Sequence, residues 1–210
     1  MSSEDQRSIF LERADVSRET ASRFDAFAGL LSKWNPSINL VAPGTIADRW
    51  SRHFMDSLSV WEATEIRSGK WVDLGSGGGF PGLIVAMLAA EKATDLKVSC
   101  VEVDMRKATF LRTVSRETSI DVSIHTKRVE MLPPLGANVL SARALTSLEG
   151  LLAHAERHLA PDGEALFSKG ARHQEEIDAA LANWRFTLDK APSLTDPASA
   201  VLKLKDIARV

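Results

Sequence analysis

One segment of the 210-residue sequence combines residue types and spacing suited to chemistry: Asp73-Leu74-Gly75-Ser76-Gly77-Gly78-Gly79-Phe80-Pro81-Gly82. Glycines let backbone approach a ligand closely and take torsions closed to other residues. A loop that feeds a helix also offers unpaired N–H groups and the positive end of the helix dipole. Such a place suits a carboxylate or a phosphate. Gly77, Gly79 and Gly82 satisfy the dinucleotide spacing G-x-G-x-x-G. The glycines therefore admit either a dinucleotide or S-adenosylmethionine. Asp73 separates the two: a carboxylate two residues before Gly75 repels a pyrophosphate and suits the ammonium and sulfonium of adenosylmethionine. Glu102 ends the next apolar run, where an acid accepts ribose hydroxyls in either class. On these residues adenosylmethionine is favoured, and a dinucleotide enzyme or a non-catalytic nucleotide binder stays open.

The remaining reactive residues narrow the chemistry by exclusion. Cys100 is the single cysteine, and its flanks Val98, Ser99 and Val101 read as a buried strand. No internal disulfide is possible, and no metal site is expected. Methylation at a pyrimidine carbon, which needs a cysteine nucleophile, is disfavoured. Enzymes acting on exocyclic amines carry Asn/Asp-Pro-Pro-aromatic after the fourth strand, where this chain reads Ser141-Ala142-Arg143-Ala144-Leu145. Leu132-Pro133-Pro134-Leu135 lies too early and lacks the polar head and the aromatic tail. Guanine N7 is different, because its lone pair is free and no proton has to leave. A methyl donor then needs in-line placement, and nearby acids or dipoles help the base as it gains positive charge. His53, Asp56 and Ser57 supply the residue types of a hydrolase triad, but at i, i+3 and i+4 of one helix their side chains run parallel. Arg49, Arg52, His53 and Asp56 instead read as one polar helix face, turned to water or to a cleft.

The elements that must position these residues follow from periodicity. Residues 1–65 read as a helical extension and 66–210 as the methyltransferase domain. Ser3 with Gln6 fits a capping box for a first helix. Ser17 caps a second, with Phe24, Phe27, Leu30, Leu31 and Trp34 along one stripe, and Asn35-Pro36 should end it. Residues 39–44 connect to a third helix opened by Thr45 and Asp48, with Ile46, Trp50, Phe54, Leu58 and Trp61 on one face. After Gly69, strands are expected over 71–74, 97–103, 122–125, 138–142, 164–168, 185–188 and 200–204. Helices are expected over 81–91, 105–118, 146–159 (opened by Thr146 with Glu149) and 173–183, with a turn at Pro161-Asp162-Gly163. This alternation predicts an open, largely parallel α/β sheet with helices on both faces. Ligands bind beyond the carboxyl ends of such strands, where strand order reverses.

Composition adds bounds. Hydrophobic residues make up 44% and charged residues 26%, the mix of a globular protein. Net charge is −2, so a nucleic-acid partner would need a local basic patch. Candidates are Arg106, Lys107, Arg112 and Arg116 on one helix with Lys127 and Arg128 near them in sequence, and Lys169, Arg172 and His173 past the fifth strand. No membrane span is expected, and Met1-Ser2-Ser3-Glu4-Asp5 lacks a signal pattern, so the cytoplasm is the expected compartment.

Several motifs together resemble the GidB-type family of ribosomal RNA small-subunit methyltransferases G. Lys33-Trp34-Asn35-Pro36 through Ile38-Asn39-Leu40 is similar to its N-terminal signature, and Arg52-His53-Phe54-Met55-Asp56-Ser57-Leu58 to its next segment. The glycine loop matches, and Phe110-Leu111, Arg128-Val129-Glu130, Ala142-Arg143-Ala144 and Lys169-Gly170 follow in the family's order. The likeness runs from about Leu30 to the end. It implies a class I adenosylmethionine-dependent methyltransferase, Rossmann-like with a mostly parallel seven-stranded sheet. It also implies methylation at N7 of a guanosine (position 527) in the 530 loop of 16S ribosomal RNA, free or in the small subunit, by a monomer without metal. By position, Asp73, Gly75, Gly77, Phe80 and Glu102 should surround the cofactor. Val129 and Glu130 should hold its adenine side, and Arg143 should sit at the mouth near the methyl and the substrate. RNA contacts are expected from His53, Arg106, Lys107, Lys169 and Arg172. One departure is Asn138, where the family usually has an acid. Another RNA or a small substrate, or a role as a ribosome-assembly factor, are the alternatives.

Overall fold

A computed structural model describes all residues, 1–210. Seven strands form one sheet: β1 (Gly69–Leu74), β2 (Leu96–Val101), β3 (Val122–His125), β4 (Ala137–Arg143), β5 (Leu159–Lys169), β6 (Trp184–Pro192) and β7 (Ala200–Arg209). Their order is β3-β2-β1-β4-β5-β7-β6, and only β7 runs antiparallel to its neighbours. The chain winds outward from β1 to β3, then returns to start β4 on β1's other side. The carboxyl ends of β1 and β4 therefore flank the switch point, where an open α/β sheet places its ligands. Seven helices accompany the sheet: α1 (Ser3–Ala14), α2 (Arg18–Ile38), α3 (Met55–Glu62), α4 (Gly82–Lys92), α5 (Met105–Thr118), α6 (Leu148–His158) and α7 (His173–Ala180).

Strand alternation decides which face each residue serves. Trp71 of β1 points into a core of 34 buried residues shared with α1 to α5, whereas Val72 and Leu74 join a second core of 20 under α6 and α7. The N-terminal helices thus share a core with one face of the sheet. Their centre is Phe54, whose ring lies within 6.2 Å of those of Phe10, Phe24, Phe27, Trp50 and Phe80.

Several local expectations are corrected. The first capping box is Ser2 with Asp5, not Ser3 with Gln6; Gln6 is buried and bonds Asp48 instead. Helix α2 runs through Pro36 to Ile38. Proline there forfeits only one bond in the last turn, while Asn39 in the left-handed region and the Asn35 side chain, accepting from the Val41 N–H at 2.9 Å, close the end. The third helix begins late: a 3-10 turn at 43–45 precedes a π-helical stretch over 50–54 that leads into α3. Ser147, not Thr146, caps α6. Pro161-Asp162-Gly163 lies within β5 as a bulge, because the pairing with β4 shifts register there. The last two strands are longer than periodicity suggests, because exposed edge residues continue the ladder without an apolar signal. Asn138 sits at the opposite end of the sheet from the glycine loop, where its Oδ1 accepts from the Lys70 N–H at 2.9 Å.

Replacing Phe54 by Ala should cost about 3–5 kcal/mol of stability, read by urea denaturation, because five rings lose a packed partner. A loss under about 1 kcal/mol would show that the aromatic cluster is not what fixes the helical extension.

Candidate active site

Asp73 is the deepest element of the site. It pairs in register with Ser141 on β4 and Cys100 on β2 and has no exposed surface. Trp71 Nε1 donates to Ser141 Oγ (2.9 Å), Ser141 Oγ donates to Asp73 Oδ1 (2.7 Å), and the Gly82 N–H at the start of α4 donates to Asp73 Oδ2 (3.2 Å). The carboxylate therefore braces β1, β4 and α4 from beneath the loop and does not line the cleft. A side chain at Gly82 could not be accommodated, since a Cβ would come within 2.8 Å of Asp73 and 2.6 Å of Cys100 Sγ. Burial raises the Asp73 pKa to about 6, against the pull of its hydrogen bonds. Burial also pushes the Cys100 thiol far up, so it stays protonated, as expected of a small core residue.

Above Asp73 the loop turns across the ends of β1 and β2. The Gly75 and Ser76 N–H groups both donate to the Val101 carbonyl, at 2.8 and 3.1 Å. Gly75 takes φ +65, open to glycine. Glu102 accepts from the Gly77 N–H and the Asp104 N–H, each at 2.8 Å, one on each oxygen. Each carboxylate oxygen has two acceptor sites, so capacity for two ribose hydroxyls remains. A cleft of about 450 Å³ opens beside these groups, with Gly75, Val101, Val103 and Val129 among its walls. Its size suits a nucleoside-sized ligand. Glycine backbone, an acid at the strand end and valine walls together fit adenosylmethionine. Glu130 is exposed at its rim.

Phe80 lies apart from the cleft. It is buried, stacks on Phe27 at 5.1 Å and carries the Arg143 guanidinium 5.2 Å from its ring centre. Gly79, at φ +95, turns the chain so that this ring enters the aromatic core.

Arg143, at the end of β4, organises a second group. Its Nη1 lies 3.2 Å from His53 Nδ1 and 3.3 Å from Asp56 Oδ2. A guanidinium only donates, so His53 Nδ1 accepts and the imidazole carries its proton on Nε2. That proton goes to Thr45 Oγ1 at 2.7 Å, and Thr45 donates onward to the Ala42 carbonyl at 2.7 Å. Burial, then Arg143 and Arg52, lower the His53 pKa to about 3. His53 is a neutral spacer with both nitrogens in use. Ser57 donates to the His53 carbonyl rather than to its ring (2.7 Å), so the triad residue types form no relay. His53 and Asp56 face a groove of about 470 Å³ with Arg52 and Arg143.

A third recess, of about 440 Å³, adjoins both others. It shares Asp56 and Arg143 with the groove, and Leu145 and Thr146 with the cofactor cleft. Ala144, at φ 54, turns Leu145 over Gly75. Lys169 lies in this recess with a side chain 9% exposed, donating to Glu176 Oε2 (2.7 Å) and to the Thr146 carbonyl (2.9 Å). Glu176 also accepts from the Leu148 N–H at 2.8 Å. Burial pushes the Glu176 carboxyl up, but these bonds outweigh it and hold it below the usual range. Glu176 carried no sequence signal, because its spacing from Lys169 is that of an ordinary helix-start acid. Of the other basic residues, Arg106 and Lys107 occupy the first turn of α5 outside the three recesses, Arg112 is tied to Thr126, and Arg172 is exposed. Lys127 and Arg128 reach the cofactor cleft. No three His, Cys, Asp or Glu side chains are grouped to hold a metal ion, and no helix is long and apolar enough to cross a membrane.

Comparison with known proteins gives the family and the fold. The family model of GidB, rRNA small subunit methyltransferase G, matches residues 20–198. The chain is 49% identical over 196 residues to the ribosomal RNA small subunit methyltransferase G of Ruegeria sp. (strain TM1040), covering 93% of this chain and 95% of that one. It is 50% identical to the protein of the same name from Ruegeria pomeroyi, covering 93% and 96%. Among solved structures, a TehB-like adenosylmethionine-dependent methyltransferase from Corynebacterium glutamicum superposes with a TM-score of 0.53 at 14% identity, over 71% of this chain and 86% of that one. At that identity the likeness is one of fold, and the fold is that of class I methyltransferases.

The buried Asp73 sets a pH signature. Its folded pKa of about 6 lies above the ordinary 3.8, so the folded protein keeps this proton between pH 4 and 6 while the unfolded chain releases it. Its favourable share of stability is full below pH 4 and is lost as pH rises through 6. A rise from 3.8 to about 6 corresponds to about 3 kcal/mol. Relative to Asp73→Asn, which does not titrate, the wild type should lose about that much between pH 4 and pH 7 in urea denaturation. A difference independent of pH would show that the buried carboxyl keeps its ordinary pKa.

Proposed function

The chain belongs to the rRNA small subunit methyltransferase G family, and on that premise we propose that it methylates N7 of a guanosine in the 530 loop of 16S ribosomal RNA, using S-adenosylmethionine. The observation that carries this reading is the junction at Leu145 and Thr146. There a cleft suited to a nucleoside cofactor meets a polar recess, and in the groove that adjoins this recess at Asp56 and Arg143, His53 is held neutral with no free nitrogen. Guanine N7 needs no base, because its lone pair is already available.

When bound, adenosylmethionine supplies an electrophilic methyl on a sulfonium. The chain's own residues bind and orient. Glu102 accepts the ribose hydroxyls, and Val101, Val103 and Val129 enclose the adenine. Asp73 acts from below, keeping the loop and the α4 terminus in place. Arg143, fixed by Asp56, His53 and the Phe80 ring, keeps its Nε and Nη2 hydrogens free for the nucleotide. Transfer of that methyl to N7 would leave positive charge on the base and no proton to remove. The carboxylates Asp56 and Glu176 line the recess where that charge develops and stabilise it. The base must leave its stack to enter such a recess. Lys127 and Arg128, at the rim of the cleft, and the exposed Arg172 contact the RNA backbone.

Two measurements test the reading. Gly75→Arg should abolish adenosylmethionine binding in calorimetry, because a side chain there meets Leu145 within 2.6 Å and then fills the cleft; unchanged affinity would place the cofactor elsewhere. Single-turnover methyl transfer to small ribosomal subunits from cells lacking this protein should be flat between about pH 6.5 and 8.5, since no base is titrated. A rate that climbs tenfold per pH unit in that range would require a general base and contradict N7 as the target.

A further inference from the structure

We propose that Glu176 and Lys169 read the Watson–Crick edge of the target guanine and so make the enzyme specific for that base; this rests on the guanine-N7 reading above. If N7 is to meet the methyl, it cannot be used for recognition. What remains at the far end of the purine is one acceptor, O6, and two donors, the N1–H and the N2 amine. A matching site must offer a donor beside an acceptor with spare capacity, within the recess that adjoins the cofactor cleft.

Lys169 and Glu176 are that pair. An ammonium has three hydrogens. Lys169 uses one on the Thr146 carbonyl and one on Glu176 Oε2, which leaves one for O6. Glu176 Oε2 is filled by Lys169 and the Leu148 N–H, whereas Oε1 makes no hydrogen bond and has two lone pairs for N1–H and N2–H. Both residues line the recess that shares Leu145 and Thr146 with the cofactor cleft. The other carboxylate there, Asp56, already has a donor on each oxygen, Arg143 on Oδ2 at 3.3 Å and Ser193 on Oδ1 at 3.4 Å, so neither offers the two free lone pairs of Glu176 Oε1. Lys169 is also fixed at both ends of its pairing, since its acceptors sit on the turn after β4 and on α7, so the edge reader is preorganised. Adenine is rejected by the same atoms. Its N6 amine would face the Lys169 ammonium, donor to donor, and its N1 lone pair would face the Glu176 carboxylate.

The Lys169–Glu176 pair also braces α6 against α7, so the test must read something that bracing does not move. Methyl transfer is measured on 16S rRNA, naked and assembled into small subunits, carrying at the methylated position either guanosine or inosine, which lacks the N2 amine. Wild type should prefer guanosine by roughly ten- to a hundredfold. In Glu176→Gln the amide oxygen must stay with Lys169 and Leu148, which turns its NH2 toward the donors of guanine. That variant should lose transfer to guanosine by a similar factor and no longer prefer guanosine over inosine, with adenosylmethionine affinity and melting temperature retained. Equal wild-type rates on the two bases, which need no variant to fold, would overturn the assignment, as would a Glu176→Gln enzyme with an intact preference. If the wild-type label lands on an atom other than guanine N7, the parent reading fails instead, and the two failures are told apart.

Discussion

A single buried carboxylate holds the site together. Asp73 lies under the glycine loop with no solvent contact, bonded to β4 through Ser141 and to α4 through the Gly82 N–H. An isolated carboxylate in such a place would be costly, and the ring of donors around it is what makes it tolerable. Because its partners sit on two elements other than its own strand, the same bonds that satisfy it fix where β1 ends, where α4 starts and how β4 lies beside them. Trp71 extends the chain one bond further, from the core to Ser141. The loop above can then use its N–H groups on Val101 and Glu102, and the cleft takes its shape from that arrangement.

A similar logic runs through the second half of the site. Arg143 is held by an acid, a neutral imidazole and an aromatic ring, contributed by α3, the π-helical stretch before it and the glycine loop. The helical extension is therefore more than a cover. Its aromatic cluster carries Phe80, and Phe80 supports Arg143. The π-helical stretch places His53 between Thr45 and Arg143, a position in which it orients and cannot take a proton.

Much of this was legible in the sequence, and the limits are physical. Strand–helix alternation gave the sheet, the helix over Met105–Thr118 and the strand over Val122–His125 without correction, because their apolar periods are strong. Ends were harder, since caps depend on one side chain: Ser2 rather than Ser3, Ser147 rather than Thr146. Pro36 and Pro161 read as stops, yet tertiary packing tolerates one inside the last turn of α2 and the other in a bulge of β5. At the site, glycine spacing and Glu102 were readable because they are local. Asp73 was readable as an acid but not as a buried one, because burial is set by β4, some seventy residues away. The neutral state of His53, the inward turn of Phe80 and the part played by Glu176 all come from contacts between distant segments, which periodicity does not record.

The central claim is that the junction of the two recesses transfers a methyl group to a base nitrogen that has no proton to lose. Labelled adenosylmethionine, the purified protein and 16S ribosomal RNA or small subunits from a strain lacking it test this directly, by mapping the label to a nucleotide and an atom. The account predicts one labelled nucleotide, in the 530 loop, with the methyl on guanine N7, read as strand cleavage under conditions that open 7-methylguanine. Label on an exocyclic amine, a ribose hydroxyl or a pyrimidine carbon would contradict it, because each of those targets must give up a proton, which transfer to N7 does not require.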